Sequence, residues 1–139
     1  MKLKIKHIVV AVLALCILSA CKKKDTDNEV YNAALGKLIG KWTFVNATTN
    51  EHYSNADHIT TLSGNPGDYM DFTNGGKVNL RFFSVQDTSK YTLIKNTQLV
   101  FDDVDQFDLK TLTATELVLY RKIVYSAAAY KEETYSLKK

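Results

Sequence analysis

Apolar and polar residues alternate in short runs from Leu35 to the end of the chain. The clearest run is 77–82, in which every second residue is apolar: Val78, Leu80 and Phe82. A period of two is that of a β-strand with one solvated face. Comparable runs predict about eight strands, at about 41–48, 68–73, 77–84, 89–95, 97–102, 105–111, 115–125 and 129–138.

Short polar segments separate these runs. Asn74-Gly75-Gly76 is a strong hairpin signal, because its central residues tolerate positive φ. The other predicted links are 87–89, 95–97, 102–105 and 113–115, so strands adjacent in sequence should pair antiparallel. Such a meander hides its edges in a sandwich or a closed barrel, and the length of 35–139 suits a compact barrel. The segment 49–67 predicts the longest loop.

The N-terminal pattern is of another kind. Lys2, Lys4 and Lys6 precede an uninterrupted apolar stretch from Ile8 to Leu18. That stretch is shorter than the roughly 20 residues that a membrane-spanning helix needs, and it has the order of a secretory signal. We therefore expect a cleaved signal peptide at 1–20, a flexible tether at 21–34 and a barrel domain at 35–139.

The end of the signal, Leu18-Ser19-Ala20-Cys21, resembles the bacterial lipobox. The resemblance implies that the Cys21 thiol carries diacylglycerol and that its new amine is acylated as well. Two or three acyl chains give stable anchoring, whereas a single chain is marginal. The expected location is the bacterial cell envelope, most simply the outer membrane, facing either the periplasm or the cell surface.

The charge balance changes once the signal is removed. The whole chain has 18 Lys and Arg against 15 Asp and Glu, a formal charge of +3 that could suggest an anionic partner. Three of those lysines leave with the signal, so the mature chain is formally neutral and nucleic acid is not an expected partner. Cys16 leaves as well and Cys21 is acylated, so disulfides and cysteine catalysis are not expected. A hydrophobic content of 45% excludes wholesale disorder.

Several motifs together resemble the small bacterial lipocalin-like lipoproteins of the calycin group. Behind the lipobox and tether come Gly40-Lys41-Trp42, then 71–78 with the hairpin signal, then 112–119. Gly40 would let the first strand bend tightly, and the Trp42 indole would close one end of the barrel. The resemblance implies a late-strand arginine over that indole, and Arg121 is the candidate because it shares parity with Leu117 and Leu119.

Ligand binding is the function that the resemblance implies. Six aromatic residues have a parity that could point inward: Phe44, Phe72, Phe82, Tyr91, Phe101 and Phe107. They either fill the barrel as packed core or surround an apolar pocket at the end opposite Trp42. The predicted 49–67 loop would then lie over the mouth, where His52, Tyr53 and His58 could touch a ligand.

Catalytic and metal patterns are weak. His52 and His58 lack a recognisable ligand spacing even with Glu51 or Asp57 nearby, and the acidic stretch 102–108 lacks the glycine and closing Glu of an EF-hand. No nucleophile elbow or phosphate loop occurs. We therefore expect no enzyme activity, no metal and no cofactor. The expectation is a lipid-anchored binding protein for a small, partly apolar ligand; the alternative is a side-chain-filled barrel that docks another envelope protein.

Overall fold

The structure, a computed structural model, describes the backbone of residues 22–139 and the side chains of residues 27–139. The predicted signal peptide and the predicted lipidation site Cys21 lie outside the described residues. Over residues 22–139, one helix, α1 (Lys22–Leu38), precedes nine strands: β1 Gly40–Tyr53, β2 Ala56–Ser63, β3 Tyr69–Phe72, β4 Lys77–Phe82, β5 Val85–Ile94, β6 Gln98–Phe101, β7 Asp105–Leu112, β8 Glu116–Ser126 and β9 Ala129–Lys138.

Eight of the strands form a closed antiparallel barrel. Strands β3 to β9 pair in sequence order, and β1 closes the ring by pairing with β3 on one edge and with β9 on the other. The all-β class, the up-and-down meander and the closed barrel predicted from the period of two are confirmed.

The predicted long loop at 49–67 is wrong. β1 continues to Tyr53, turns through Ser54 and Asn55, and returns as β2. Both turn residues have positive φ, 53° and 61°, as a two-residue hairpin turn requires. All of β2 is exposed. A strand with water on both faces needs no apolar alternation, so the period that reveals the other strands is missing here.

A tight crossing joins β2 to the barrel. On one edge, β1 pairs with β3 up to Thr43 and with β2 from Asn46 onward. On its other edge, where β1 pairs with β9, Val45 forms a β-bulge between Phe44 and Asn46. Gly64 donates its N–H to Val45 O at 2.8 Å. A β-carbon at Gly64 would lie 2.3 Å from the carbonyl oxygen of Phe44, so the crossing requires glycine. The buried Asp68 then accepts backbone hydrogen bonds from Asn65 and Phe83.

Residues 22–34, which fall in the predicted flexible tether at 21–34, are helical as part of α1. The described chain divides after Ala33, and the last turn of α1 belongs to the barrel unit. Leu38, which ends the helix, is fully buried in the barrel core. The described helix is not long and apolar enough to cross a membrane. The role of this segment as a tether stays a prediction.

Candidate ligand-binding site

One end of the barrel is sealed around Trp42. The indole is fully buried, and its Nε1 donates to the Leu38 carbonyl at 2.7 Å. The Lys139 Nζ lies 4.4 Å from the indole centroid and donates to the carbonyls of Lys37 at 2.6 Å and Ile39 at 2.8 Å. Burial lowers the pKa of Lys139. Backbone carbonyls therefore accept hydrogen bonds from both the indole N–H and the Lys139 ammonium at this end.

The prediction that Arg121 lies over the Trp42 indole is wrong. Lys139 occupies that place, and the Arg121 guanidinium lies 4.7 Å from the Phe107 centroid. Arg121 does share the inward parity of Leu117. It lies four residues further along β8, however, about 13 Å at 3.3 Å per residue, which carries it to the other half of the barrel.

That other half contains a cavity of about 260 Å³. At about 30 Å³ per water molecule, it has room for a small ligand. Its apolar wall comes from five of the barrel strands: Met70, Leu80, Phe82, Phe101, Phe107 and Leu119. Its polar lining is made by Ser89, Asp102, Asp105, Arg121 and Tyr135. An apolar pocket with a few polar groups is the usual composition of a small-molecule site.

Seven aromatic rings connect the cavity with the core in one chain of contacts. In order of contact they are Phe82, Phe44, Tyr135, Phe107, Phe101, Phe72 and Tyr91. Four of the six contacts are edge-to-face, with centroids 5.0 to 5.7 Å apart. That arrangement adds attraction beyond simple burial. Four of the seven rings line the cavity: Phe82, Phe101, Phe107 and Tyr135.

A charged network forms the other wall. Glu133 is only 6% exposed; it accepts a short hydrogen bond from Arg121 Nε, and its other oxygen lies 2.7 Å from Lys131 Nζ. Arg121 Nη1 also donates to Asp105 at 2.7 Å. Burial by itself would raise the pKa of Glu133, but the hydrogen bonds from Lys131 and Arg121 outweigh it and hold the pKa below its usual value. The carboxylate is therefore charged and fully paired.

Tyr135 lines the cavity beside this charged network but makes no hydrogen bond to it. Its hydroxyl makes no hydrogen bond to another described residue, although its ring packs between Phe44 and Phe107. Burial, and then the nearby Glu133 carboxylate, raise the pKa of Tyr135, so the hydroxyl keeps its proton at neutral pH. It is a hydrogen-bond donor that a ligand in the cavity could use.

The structure separates the predicted site residues into three groups. Phe82, Phe101 and Phe107 line the cavity, whereas Phe44, Phe72 and Tyr91 belong to the packed core beside it. His52, Tyr53 and His58 are not in the cavity lining, because they stand on the β1–β2 hairpin. Tyr135 was missed, although its parity with Leu137 on β9 was the signal that could have found it.

The three hairpin residues make contacts of their own. His52 Nδ1 lies 2.7 Å from Asp57 Oδ1, and the His52 ring stacks on Tyr130 at 4.7 Å. The Tyr53 and His58 rings stack at 4.3 Å. Among residues 27–139, no group of three or more His, Cys, Asp or Glu side chains could hold a metal ion.

No family model, no curated protein and no solved structure matches this chain. The architecture is an eight-stranded antiparallel barrel with one additional strand, which is consistent with a lipocalin-like fold.

Proposed function

We propose that this protein is a lipid-anchored, lipocalin-like binding module of the bacterial cell envelope, and not an enzyme. Its ligand would be small and partly apolar, and would occupy the cavity at the end of the barrel opposite Trp42. The observation that carries the proposal is the cavity of about 260 Å³, which is lined by Phe82, Phe101 and Phe107 together with Tyr135 and Arg121.

The chemistry of the cavity supports a ligand of low charge. Glu133 and Asp105 already pair with Arg121, and Asp102 adds a further carboxylate to the lining, so an anionic ligand would meet carboxylates and no unpaired cation in the cavity. The free Tyr135 hydroxyl favours a ligand with a neutral acceptor, such as a carbonyl or ether oxygen. The aromatic wall favours a flat or aliphatic body.

Native mass spectrometry of the full chain, extracted in detergent from its natural envelope, tests the proposal. We expect a reproducible small-molecule adduct. Ser89→Phe should abolish the adduct because its ring would enter the cavity, whereas Thr88→Phe, on the outer face of the same strand, should keep it. An adduct that survives Ser89→Phe, or a bare protein mass from the native envelope, would refute cavity binding.

The anchor rests on the lipobox-like sequence at 18–21. We expect Cys21→Ser to leave an unprocessed precursor without diacylglycerol, detected as a mass that retains the signal peptide. Ser19→Ala, which keeps a small residue before the cysteine, is the matched control and should be processed normally. Normal processing and lipidation of the Cys21→Ser chain would contradict the assignment.

A second function, docking of another protein, is favoured by one observation. The ends of β1 and β8 expose Tyr53, Val124 and Tyr125 to solvent. The cavity does not involve these residues, so docking and ligand binding are compatible.

A further inference from the structure

β2 is an edge strand without the usual protection. Within the described residues it pairs only with β1, over all eight of its residues, and every one of them is exposed. Natural edge strands are generally short, bulged, or carry lysine or proline, which prevents another strand from adding to them. β2 is eight residues long, pairs with β1 without a bulge and has neither lysine nor proline; its one charged residue, Asp57, lies near its start, and Ile59 at its centre is 68% exposed.

The register identifies which backbone groups of β2 are open. The two-residue turn makes Tyr53 and Ala56 a hydrogen-bonded pair, and such pairs alternate along an antiparallel ladder. The even-numbered residues of β2 therefore bond to β1. The remaining four direct their N–H and C=O groups to the open edge: Asp57, Ile59, Thr61 and Ser63.

We propose that a second copy of this chain occupies this edge, with the two β2 strands antiparallel and Thr60 on the two-fold axis. In this register all four open residues of each strand are paired, Asp57 with Ser63 and Ile59 with Thr61. Moving the axis by one residue in either direction loses part of the ladder. The two copies would then share one continuous sheet, β8-β9-β1-β2 followed by its symmetric counterpart.

Charge and side-chain chemistry support a copy of the same chain as the occupant. The single acidic residue of the strand, Asp57, lies opposite a Ser63 hydroxyl that can donate to it, so no like charges meet. On the other face His58 lies opposite Leu62, and Thr60 lies opposite its own counterpart. The pairing covers Ile59 and Leu62, the two apolar side chains that β2 exposes most.

A single cysteine tests the register. Thr60 and its counterpart form a non-hydrogen-bonded pair, whose Cα atoms lie about 4.5 Å apart, within the range that a disulfide bridges. We expect the full-length Thr60→Cys chain, extracted in detergent and mildly oxidised, to run as a disulfide-linked dimer. Thr61→Cys is the matched control, because its counterpart is a diagonal neighbour at about 7–8 Å. The unsubstituted chain, in which Cys16 is expected to leave with the signal peptide and Cys21 to be acylated, gives the background of the cross-linking.

A charge at the axis tests the association itself. Thr60→Lys places two lysines directly opposite each other, and we expect the dissociation constant to rise at least about tenfold in sedimentation equilibrium. Thr92→Lys adds the same charge at an exposed position of β5 and should leave the dimer intact. Far-UV circular dichroism checks that both variants fold.

Three results would overturn the proposal. One is an unsubstituted chain that sediments as a monomer throughout the dilution series. Another is equal cross-linking of the Thr60→Cys and Thr61→Cys chains. The third is a disulfide that joins the Thr60→Cys chain to a different envelope protein, or to its own N-terminal region, in place of a second copy. None of these results depends on ligand in the cavity, so the dimer and the binding function fail or stand separately.

Discussion

Both ends of the barrel place a cation over an aromatic ring, but with different partners. At the sealed end Lys139 lies over Trp42 and donates to backbone carbonyls. At the cavity end Arg121 lies over Phe107 and donates to the carboxylates of Glu133 and Asp105. Backbone partners are fixed by the fold, whereas carboxylates are side chains that can rearrange and titrate. A cation over an aromatic ring therefore belongs to a fixed closure at the Trp42 end. At the cavity end it belongs to a wall whose side chains can rearrange and titrate.

The largest effect should follow from opening the sealed end. Trp42→Ala removes a fully buried indole and its hydrogen bond to Leu38, so we expect a loss of about 3–5 kcal/mol in the free energy of unfolding. Urea unfolding followed by far-UV circular dichroism measures it. Trp42→Phe, which keeps an aromatic ring, should lose clearly less. A loss under about 1 kcal/mol for Trp42→Ala would show that this end does not hold the barrel together.

At the cavity end, Glu133→Gln should cost about 2 kcal/mol. The change leaves Arg121 and Lys131 without their shared carboxylate, which is costly where charges are buried. The cost is moderated because the Arg121 side chain is 23% exposed and water screens it. Glu132→Gln is the control: this outward neighbour has a side chain that is 28% exposed, and its loss should cost less than about 1 kcal/mol. Equal losses would contradict the distinction.

The stability difference between the original chain and Glu133→Gln should depend on pH, and the direction follows from the lowered pKa of Glu133. Burial opposes ionisation of Glu133, but its two cationic partners prevail, so the pKa is lower in the folded chain than the 4.5 of a free glutamate. The stabilisation is therefore complete above pH 4.5 and is lost as the pH falls further. Urea unfolding at neutral and acidic pH should show the gap between the original chain and Glu133→Gln narrowing only below that value. A gap that widens on acidification would reverse the sign.

Strands with one buried and one solvated face could be predicted from the sequence, and features without that alternation could not. The period of two identified the eight barrel strands, because each of these strands has one buried and one solvated face. It also identified six aromatic residues with inward parity. It could not identify β2, which is wet on both faces. The Phe83-Ser84 turn was also missed, since the predicted link was at 87–89 and a phenylalanine at φ 49° carries no turn signal. The position of Lys139 over Trp42 depends on strand register, which local composition does not encode.

A smaller effect should come from removing only the cation at the sealed end. Lys139→Met keeps an aliphatic chain of similar reach but loses the ammonium over Trp42 and its two carbonyl acceptors, so we expect a loss of about 1 kcal/mol. Lys138→Met, at the exposed neighbouring position, should change stability by less than about 0.5 kcal/mol. Urea unfolding of both variants checks the pair. An unchanged Lys139→Met chain would show that the indole alone seals this end.

The smallest change in stability should occur at the cavity. Tyr135→Phe removes a hydroxyl that no other described residue binds, so we expect the free energy of unfolding to change by less than about 0.5 kcal/mol. Tyr91→Phe is its counterpart in the packed core: that hydroxyl donates to the Thr73 carbonyl at 2.7 Å, and its removal should cost about 1 kcal/mol.

Urea unfolding measures both tyrosine variants, and native mass spectrometry measures retention of a bound molecule. A ligand that accepts a hydrogen bond from Tyr135 should be lost more readily from Tyr135→Phe and be retained by Tyr91→Phe. If Tyr135→Phe cost as much stability as Tyr91→Phe, the hydroxyl would already be bound within the fold. The polar groups of the cavity end would then have hydrogen-bond partners within the fold, as those around Trp42 do. The two ends would not differ in having a hydroxyl open to a ligand.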